Sequence, residues 1–298
     1  MEFNNQRKAY GAALMDLGEG NPDVVVLDAD LGNSTMSRQF QDKYPQRYFE
    51  MGIAEADMTS TAAGKIPFTN SFAVFSGGRA FDQIRQTIAI GKLNVKICGS
   101  SAGLSDFGDG ATHQSVEDMA IMRAIPNMTV LSPADGNETY KVVKAMAAMD
   151  GPCYIRVNRN DYDNVTAEDA PFVIGQPTVL REGKDVTVFA TGYMVSLALQ
   201  AAEQVEDKAD VKVVNVSTLK PLNNEAIRQL AAGSRGVVTA EEHSVIGGLG
   251  GAVAQALLRR PFPCPLWALR TASGAAPTAM ESCWSISASP LGILQKKF

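Results

Sequence analysis

Apolar residues along this chain recur in two rhythms, one helical and one continuous, and the two alternate from end to end. Ala9, Ala12, Ala13 and Leu17 share one face at helical spacing, which predicts a helix over 6–18 ended by Gly18 and Gly20. The unbroken run Val24-Val25-Val26-Leu27 then reads as a buried strand. A short aromatic strand, Arg47-Tyr48-Phe49-Glu50, leads through Gly52 into a helix that opens near Glu55. Residues 66–75 form the next strand, Ser76-Gly77-Gly78 a tight loop, and 79–88 an amphipathic helix. A strand over 93–98 opens onto a glycine-rich loop, 99–114, and a helix over 116–124 follows, with Ser115 and Asp118 in capping-box spacing. The strand 128–131, a helix from Asp135 with Glu138 three residues on, and the strand 154–157 complete the series.

The polar stretch 158–171 is the best linker, and beyond it the alternation resumes on a smaller scale. Strands at 179–180 and 186–190 flank Glu182-Gly183 as a predicted hairpin. Helices at 195–205, 224–232 and 252–258 alternate with strands at 211–216 and 236–240. Strands regularly exchanged with helices build parallel sheets covered on both faces, so the expected fold is α/β: two three-layer α/β/α domains, residues 1–165 and 166–298. Gly247-Gly248-Leu249-Gly250-Gly251 imitates a nucleotide loop, but Val253 stands where a third glycine is needed, so it reads as a helix start. His243 has no partner visible in the sequence and is expected in a solvated or capping role.

Composition narrows the partners. The 298 residues are 45% hydrophobic and 20% charged, enough for two domains that each bury a core. A formal net charge of -5 with no long basic block argues against nucleic acid or an anionic membrane surface. No stretch reaches the roughly 18 apolar residues of a membrane span, and the first residues lack an apolar signal core, so a cytoplasmic protein is expected. Cys98, Cys153, Cys264 and Cys283 are too scattered for a zinc site or a disulfide framework and are expected to be reduced.

Candidate chemistry gathers where predicted strands end, the place where open α/β sheets bind ligands. Glu55 lies among Ile53, Ala54, Ala56 and Met58, an apolar run in which desolvation favours a protonated carboxyl able to share a proton with a ring nitrogen. A plain helix-dipole partner is the simpler reading of the same residue. Asp30 and Ser34 follow the first strand, where an Asx or Ser cap is the alternative. Phe72 and Phe75 fall on opposite faces of one strand and share a pocket only if that strand frays near Phe75; otherwise they are core. The loop 99–114 carries hydroxyls, acids and His113, one of only two histidines.

Together several stretches resemble the pyrimidine-binding and C-terminal regions of the transketolase family, over residues 4 to about 260. They are Gly52-Ile53-Ala54-Glu55, Phe72-Ala73-Val74-Phe75 with Arg79-Ala80 and Asp82-Gln83-Ile84-Arg85, Asp109-Gly110-Ala111-Thr112-His113-Gln114, and Met122-Arg123-Ala124-Ile125-Pro126-Asn127-Met128 with Pro133-Ala134-Asp135. The Thr-His-Gln block is specific, whereas Gly-Ile-x-Glu is shared with other thiamine enzymes. The resemblance implies thiamine diphosphate as cofactor and ketol transfer between sugar phosphates, as in the pentose phosphate pathway. It implies that Glu55 holds the aminopyrimidine ring nitrogen, with His113 also catalytic, Phe72 and Phe75 around the pyrimidine, and Asp30 beside the cofactor. Asp109 and His113 would hold sugar hydroxyls, and Ser34, Ser101 and Arg159 would stand in the substrate-phosphate region. In relatives a histidine is common at the Ser101 position and an aromatic at Gly78, and the helix after Glu55 is about one turn longer.

Gly108-Asp109-Gly110 with Asn137 imitates the diphosphate-metal motif of thiamine enzymes, but its Asp follows a loop and belongs to the Thr-His-Gln block, so no metal ligand is expected here. The resemblance therefore implies the C-terminal subunit of a split transketolase, with Mg2+ or Ca2+ and the diphosphate held by an N-terminal partner subunit in an α2β2 heterotetramer. A β subunit of a 2-oxo acid dehydrogenase, a deoxyxylulose-phosphate synthase-like enzyme, or a non-catalytic structural or regulatory subunit remain the rival readings. From Cys264 onward the composition changes, with a single acidic residue, Glu281, and a shifted reading frame is one expectation for that tail.

Overall fold

The computed structural model describes residues 3–62, 64–106 and 108–258. The composition change after Cys264 lies outside the described residues. Seven strands form the first sheet: β1 (Val24–Asp28), β2 (Tyr48–Glu50), β3 (Ile66–Phe72), β4 (Lys96–Ser100), β5 (Thr129–Leu131), β6 (Cys153–Arg156) and, from the second half of the chain, β10 (Thr218–Lys220). Their order is β10-β5-β6-β4-β3-β1-β2, and β10 alone among them runs antiparallel, against β5. The second sheet orders β11 (Gly236–Ala240), β8 (Val186–Ala190), β9 (Val211–Asn215) and β7 (Thr178–Arg181). The α/β class expected from the alternation is observed, with mostly parallel sheets in both halves. Among the described residues no helix is long and apolar enough to cross a membrane.

Parallel strands bury both faces, which is why β1 and β4 are buried at every position. One core on the first sheet gathers Tyr10, Leu14, Val24, Val26, Phe40 and Phe68 under the helices Gln6–Gly20 and Gly136–Ala148. Another contains Val25, Leu27, Ile84, Met119 and Met122 together with Phe189, Val214 and Leu249 from the second half, so the two halves share apolar contacts. Cys98 and Cys153 are free and buried.

The structure changes several local expectations. The predicted hairpin is not formed: β7 pairs antiparallel with β9, while β8 lies between β9 and β11, parallel to both. Gly183 packs against the Val211 backbone where a Cβ would overlap it, and Asp185 N donates to Asp210 O at 2.8 Å, steering the turn past β9. The strand carrying Phe72 stops at that residue, and Ser76-Gly77-Gly78 lies inside a short helix, Ala73–Gly78, whose Gly77 faces Ile121. The predicted 79–88 helix starts at Phe81 and widens to π geometry over Ile84–Ala89. β4 begins three residues later than the apolar run suggests, after a turn at Lys92 with φ 52°.

Asp135 caps its helix, accepting from Glu138 N at 2.8 Å, while the Glu138 carboxylate accepts from Ala134 N, one residue before the cap, at 2.6 Å. The Ser115 and Asp118 pair does not cap: the helix starts at Asp118, whose carboxylate is fully buried against Arg156 Nε at 3.0 Å and Tyr154 Oη at 2.9 Å. Ala120 N of that helix instead donates to His243 Nε2 at 3.4 Å. His243 is therefore a buried capping acceptor, and the solvated alternative is set aside. Gly247–Gly251 does open a helix, Leu249–Leu257, and the Glu241 carboxylate takes its first amides, Leu249 N at 2.6 Å and Gly250 N at 2.8 Å.

Removing one partner of a buried ion pair strands the other charge, at a cost of about 3–5 kcal/mol. Asp118→Ala, which leaves the Arg156 guanidinium without its carboxylate, is expected to lower the unfolding free energy by that amount in urea titrations. A loss below about 1 kcal/mol, the size of a surface pair, would show that the pair contributes little.

Candidate active site

Because β1, β3, β4 and β6 are parallel, their carboxyl ends share one edge of the sheet, and the loops that follow them converge there. Glu55 opens the helix Glu55–Thr61 after Gly52, whose φ of 66° is an easy conformation only for glycine. Its side chain is 3% exposed, and Oε1 accepts from Arg79 Nη1 at 3.1 Å and from Ser71 Oγ at 3.5 Å. The purely apolar niche suggested by the sequence is corrected: Met58 is buried, but Ile53 is 73% exposed and a guanidinium stands beside the carboxylate.

That guanidinium also lies 4.1 Å from the centre of the Phe75 ring. Phe72 and Phe75 stack at 6.0 Å between ring centres, 17° from parallel, because Phe72 ends β3 and Phe75 sits one turn into the next helix. His113 meets both rings edge-on, at 6.0 Å and 5.3 Å. Glu55, Arg79, Phe75, Phe72 and His113 thus form one continuous group from residues up to 58 positions apart, 113 minus 55.

A second, more polar group adjoins the first through the His113 loop. Arg159 Nη1 bonds Asp106 Oδ1 at 2.6 Å and Asp109 Oδ2 at 3.1 Å. Those hydrogen bonds, Arg159 first and then Asp106, hold the half-exposed Asp109 carboxyl below its ordinary pKa. Arg7, which the sequence reading did not single out, donates from Nη1 to Ser34 O at 2.9 Å. Burial, and next the charge of Arg159, lower its pKa, and its buried Nε has no hydrogen-bond partner among the described residues. A guanidinium is a planar donor fork suited to an oxyanion, and here that of Arg159 is already held by two carboxylates. The only sequence signal for Arg7 is a charge at the start of an otherwise apolar helix face.

Asp28, also missed, organises the loop bearing Asp30 and Ser34. It is fully buried, with Oδ1 accepting from Leu31 N at 2.6 Å and Oδ2 from Ser37 Oγ at 2.7 Å and Thr35 Oγ1 at 3.1 Å. Burial pushes its carboxyl up to about 6, against the opposing pull of those donors. Asp30 is exposed, with φ 61°, and its amide donates to Glu50 Oε1 at 2.8 Å. Ser101, expected with the substrate residues, is fully buried with φ 51° and an unpartnered hydroxyl, so it does not join the open group. Asn137, the other half of the imitated metal motif, donates to Thr166 O at 2.9 Å, whereas Asp109 turns to Arg159. A cleft of about 470 Å³ lined by Met15, Tyr140 and Lys141 takes in Asn137 but none of the other candidate residues named above.

Comparison with known proteins gives the family. The model for the transketolase pyrimidine binding domain matches residues 4–164, and that for the transketolase C-terminal domain matches residues 175–280, past the point where the sequence reading ends the likeness. The chain is 42% identical over 257 residues to a 6-deoxy-6-sulfo-D-fructose transketolase subunit of Clostridium sp. (strain MSTE9), covering 84% of this chain and 80% of that protein. It is 38% identical over 265 residues to the Homo sapiens transketolase, covering 86% of this chain but 42% of the human one. A solved structure described as a split gene transketolase, inactive beta4 tetramer, aligns with a TM-score of 0.79 at 47% identity, covering 88% of this chain and 87% of that one. The chain belongs to the transketolase family.

Asp28 gives the site loop a pH signature. Its folded-state pKa, about 6, lies above the ordinary 3.8, so the folded chain binds the proton more tightly and this group's contribution to stability falls as pH rises from about 4 to about 6. Asp28→Asn removes that slope. Measured by urea unfolding, the free energy of the variant relative to the parent is expected to rise by about 2 kcal/mol between pH 4.5 and pH 7. A difference that stays constant over that range contradicts the assignment.

Proposed function

We propose that this chain is the C-terminal subunit of a split, thiamine-diphosphate-dependent transketolase that moves a two-carbon ketol unit from a ketose phosphate to an aldose phosphate. The observation that carries this reading is the joining of a buried carboxylate, Glu55, to a stacked aromatic pair and a histidine. That donor set fits an aminopyrimidine: a carboxylate for a ring nitrogen and flat apolar faces for the ring. When bound, thiamine diphosphate supplies the nucleophilic carbon that accepts the ketol unit. Glu55 would hold the ring nitrogen and its proton, Phe72 and Phe75 would orient the ring and exclude water, and Asp30 would lie beside the cofactor. Arg79 holds both the carboxylate and the Phe75 face, so a ring placed there displaces its guanidinium, which the half-exposed side chain permits.

Substrate would lie along the second group. His113 and Asp109 would bind sugar hydroxyls, with His113 also catalytic, while Arg159, Arg7 and the Ser34 loop would take the phosphate, Ser101 standing behind them. The diphosphate and its Mg2+ or Ca2+ are assigned to an N-terminal partner subunit. Human transketolase is more than twice the matched length, and the similar split-gene chain is described as inactive in its beta4 form; both support an α2β2 assembly in which the partner completes the site. We take residues 1–165 as the pyrimidine-binding domain, 166–298 as the C-terminal domain, and the cytoplasm as the compartment.

The test is an assay of the chain reconstituted with its partner. Ketose-to-aldose transfer is expected, and 2-oxo acid decarboxylation at a comparable rate would overturn the choice of reaction. Loss of a general acid-base group typically costs about 10²–10⁴-fold, so Glu55→Gln is expected to lower kcat/KM by that factor with the fold intact. Full turnover by Glu55→Ala would instead favour a non-catalytic subunit.

A further inference from the structure

The site loop does not stand on the first sheet alone; a short segment of the second half, residues 241–248, grips it at both ends. At the entry, Glu242 Oε1 accepts from Leu104 N at 3.0 Å. At the exit, Ser244 N donates to Val116 O at 2.7 Å, and His243 accepts from Ala120 N. The loop is closed on itself between these points, where Gly103 and Ser115 exchange backbone hydrogen bonds at 2.8 Å and 3.1 Å. Gly103 has φ 68°, and a Cβ there would overlap the Glu242 carboxyl, so glycine at this position lets the carboxylate reach the backbone.

The same carboxylate reaches the strand that delivers Arg159. Glu242 Oε2 accepts from Asn158 Nδ2 at 3.1 Å, and the Glu242 carbonyl accepts from Arg156 Nη2 at 2.7 Å. Asn158 immediately precedes Arg159, whose amide donates to Ser105 Oγ at 3.2 Å and whose guanidinium binds Asp106 and Asp109. One side chain therefore sets the spacing between the start of the Asp109–His113 loop and the segment that aims Arg159. Neither segment has another charged side chain from the second half among its hydrogen-bond partners in the described residues.

We propose that Glu242 is a positioning residue for the substrate side of the site, fixing the His113 loop against Arg159 from the second domain. Resting on the reading of this site as one that holds a sugar phosphate, the proposal places the effect of Glu242 at the Leu104 and Arg159 end of the loop, and so on substrate capture more than on the chemical step. A carboxylate-to-amide hydrogen bond contributes about an order of magnitude in an equilibrium constant, which sets the size of the effect.

The experiment uses the full chain reconstituted with its partner, as parent, Glu242→Ala and Glu242→Gln. Amide hydrogen exchange is read over residues 104–114 and over the helix Gln6–Gly20, together with steady-state kinetics on a ketose phosphate. Glu242→Ala is expected to speed exchange in the loop and raise KM, each about tenfold, with kcat within about twofold and the helix unchanged. Glu242→Gln keeps one acceptor for Leu104 N and is expected to fall between. If Glu242→Ala does not fold, Asn158→Ala cuts the other end of the clamp and is expected to raise KM with kcat retained. Parent-like exchange and KM in these variants overturn the proposal, as does faster exchange with an unchanged KM. A parent complex without ketol transfer overturns the proposed function instead, and the exchange comparison still decides whether Glu242 holds the loop.

Discussion

Arg156 is buried at the end of β6, 6% exposed at its side chain, with Nε against both oxygens of Asp118 and Nη2 shared between the carbonyls of Ser115 and Glu242. A guanidinium brought this far from water must have such partners, since an unpaired buried charge is more costly than most folds tolerate. Meeting that demand draws four separate pieces of chain to one point: the strand end, the helix after the site loop, the close of that loop, and the second half. Tyr154 Oη adds a bond to the same carboxylate, and β4 admits the phenol ring only because position 99 is glycine. The charges are satisfied only when these four pieces meet.

From that anchor the function-bearing loops spread along one edge of the sheet. The Phe72 and Phe75 rings, His113 and Glu55 gather on one side, and the Asp106, Asp109, Arg159 and Arg7 group on the other. The first side is flat and apolar with a single carboxylate; the second balances two guanidiniums against two carboxylates. Under the function proposed above, a cofactor ring would lie on the first side and a phosphorylated sugar along the second. Arg79 meanwhile occupies the Glu55 carboxylate. The chain thus keeps its buried acid paired until something replaces the guanidinium.

Much of this was legible in the sequence, and for identifiable reasons. Continuous apolar runs such as Val24 to Leu27 need no tertiary information to be read as buried strands, and the loops after them could be singled out in advance as the ones that gather at one edge of the sheet. Register and partner choice could not. Nothing local distinguishes a hairpin at Gly183 from a chain that passes behind β9, and nothing near Thr218 announces a strand that returns to the first sheet. Asp118 looks like a capping residue because its usual role is local, yet Arg156, 38 residues on, outbids the helix end for its carboxylate. Arg7 and Glu242 escaped for the same reason, each taking its meaning from a partner distant in the chain, whereas Asp28 has its donors within nine residues and escaped because its burial is set by the sheet around it.

The central claim is that this chain holds the pyrimidine side of a shared site and cannot grip the whole cofactor by itself. Calorimetric titration of thiamine diphosphate with Mg2+ into the chain alone, the partner alone and the reconstituted complex tests it most directly. Saturable binding in the complex that is absent from the chain alone, and that weakens when Glu55 is replaced by alanine, is the predicted result. Binding by the isolated chain as tight as that of the complex, or an affinity indifferent to Glu55, would contradict it.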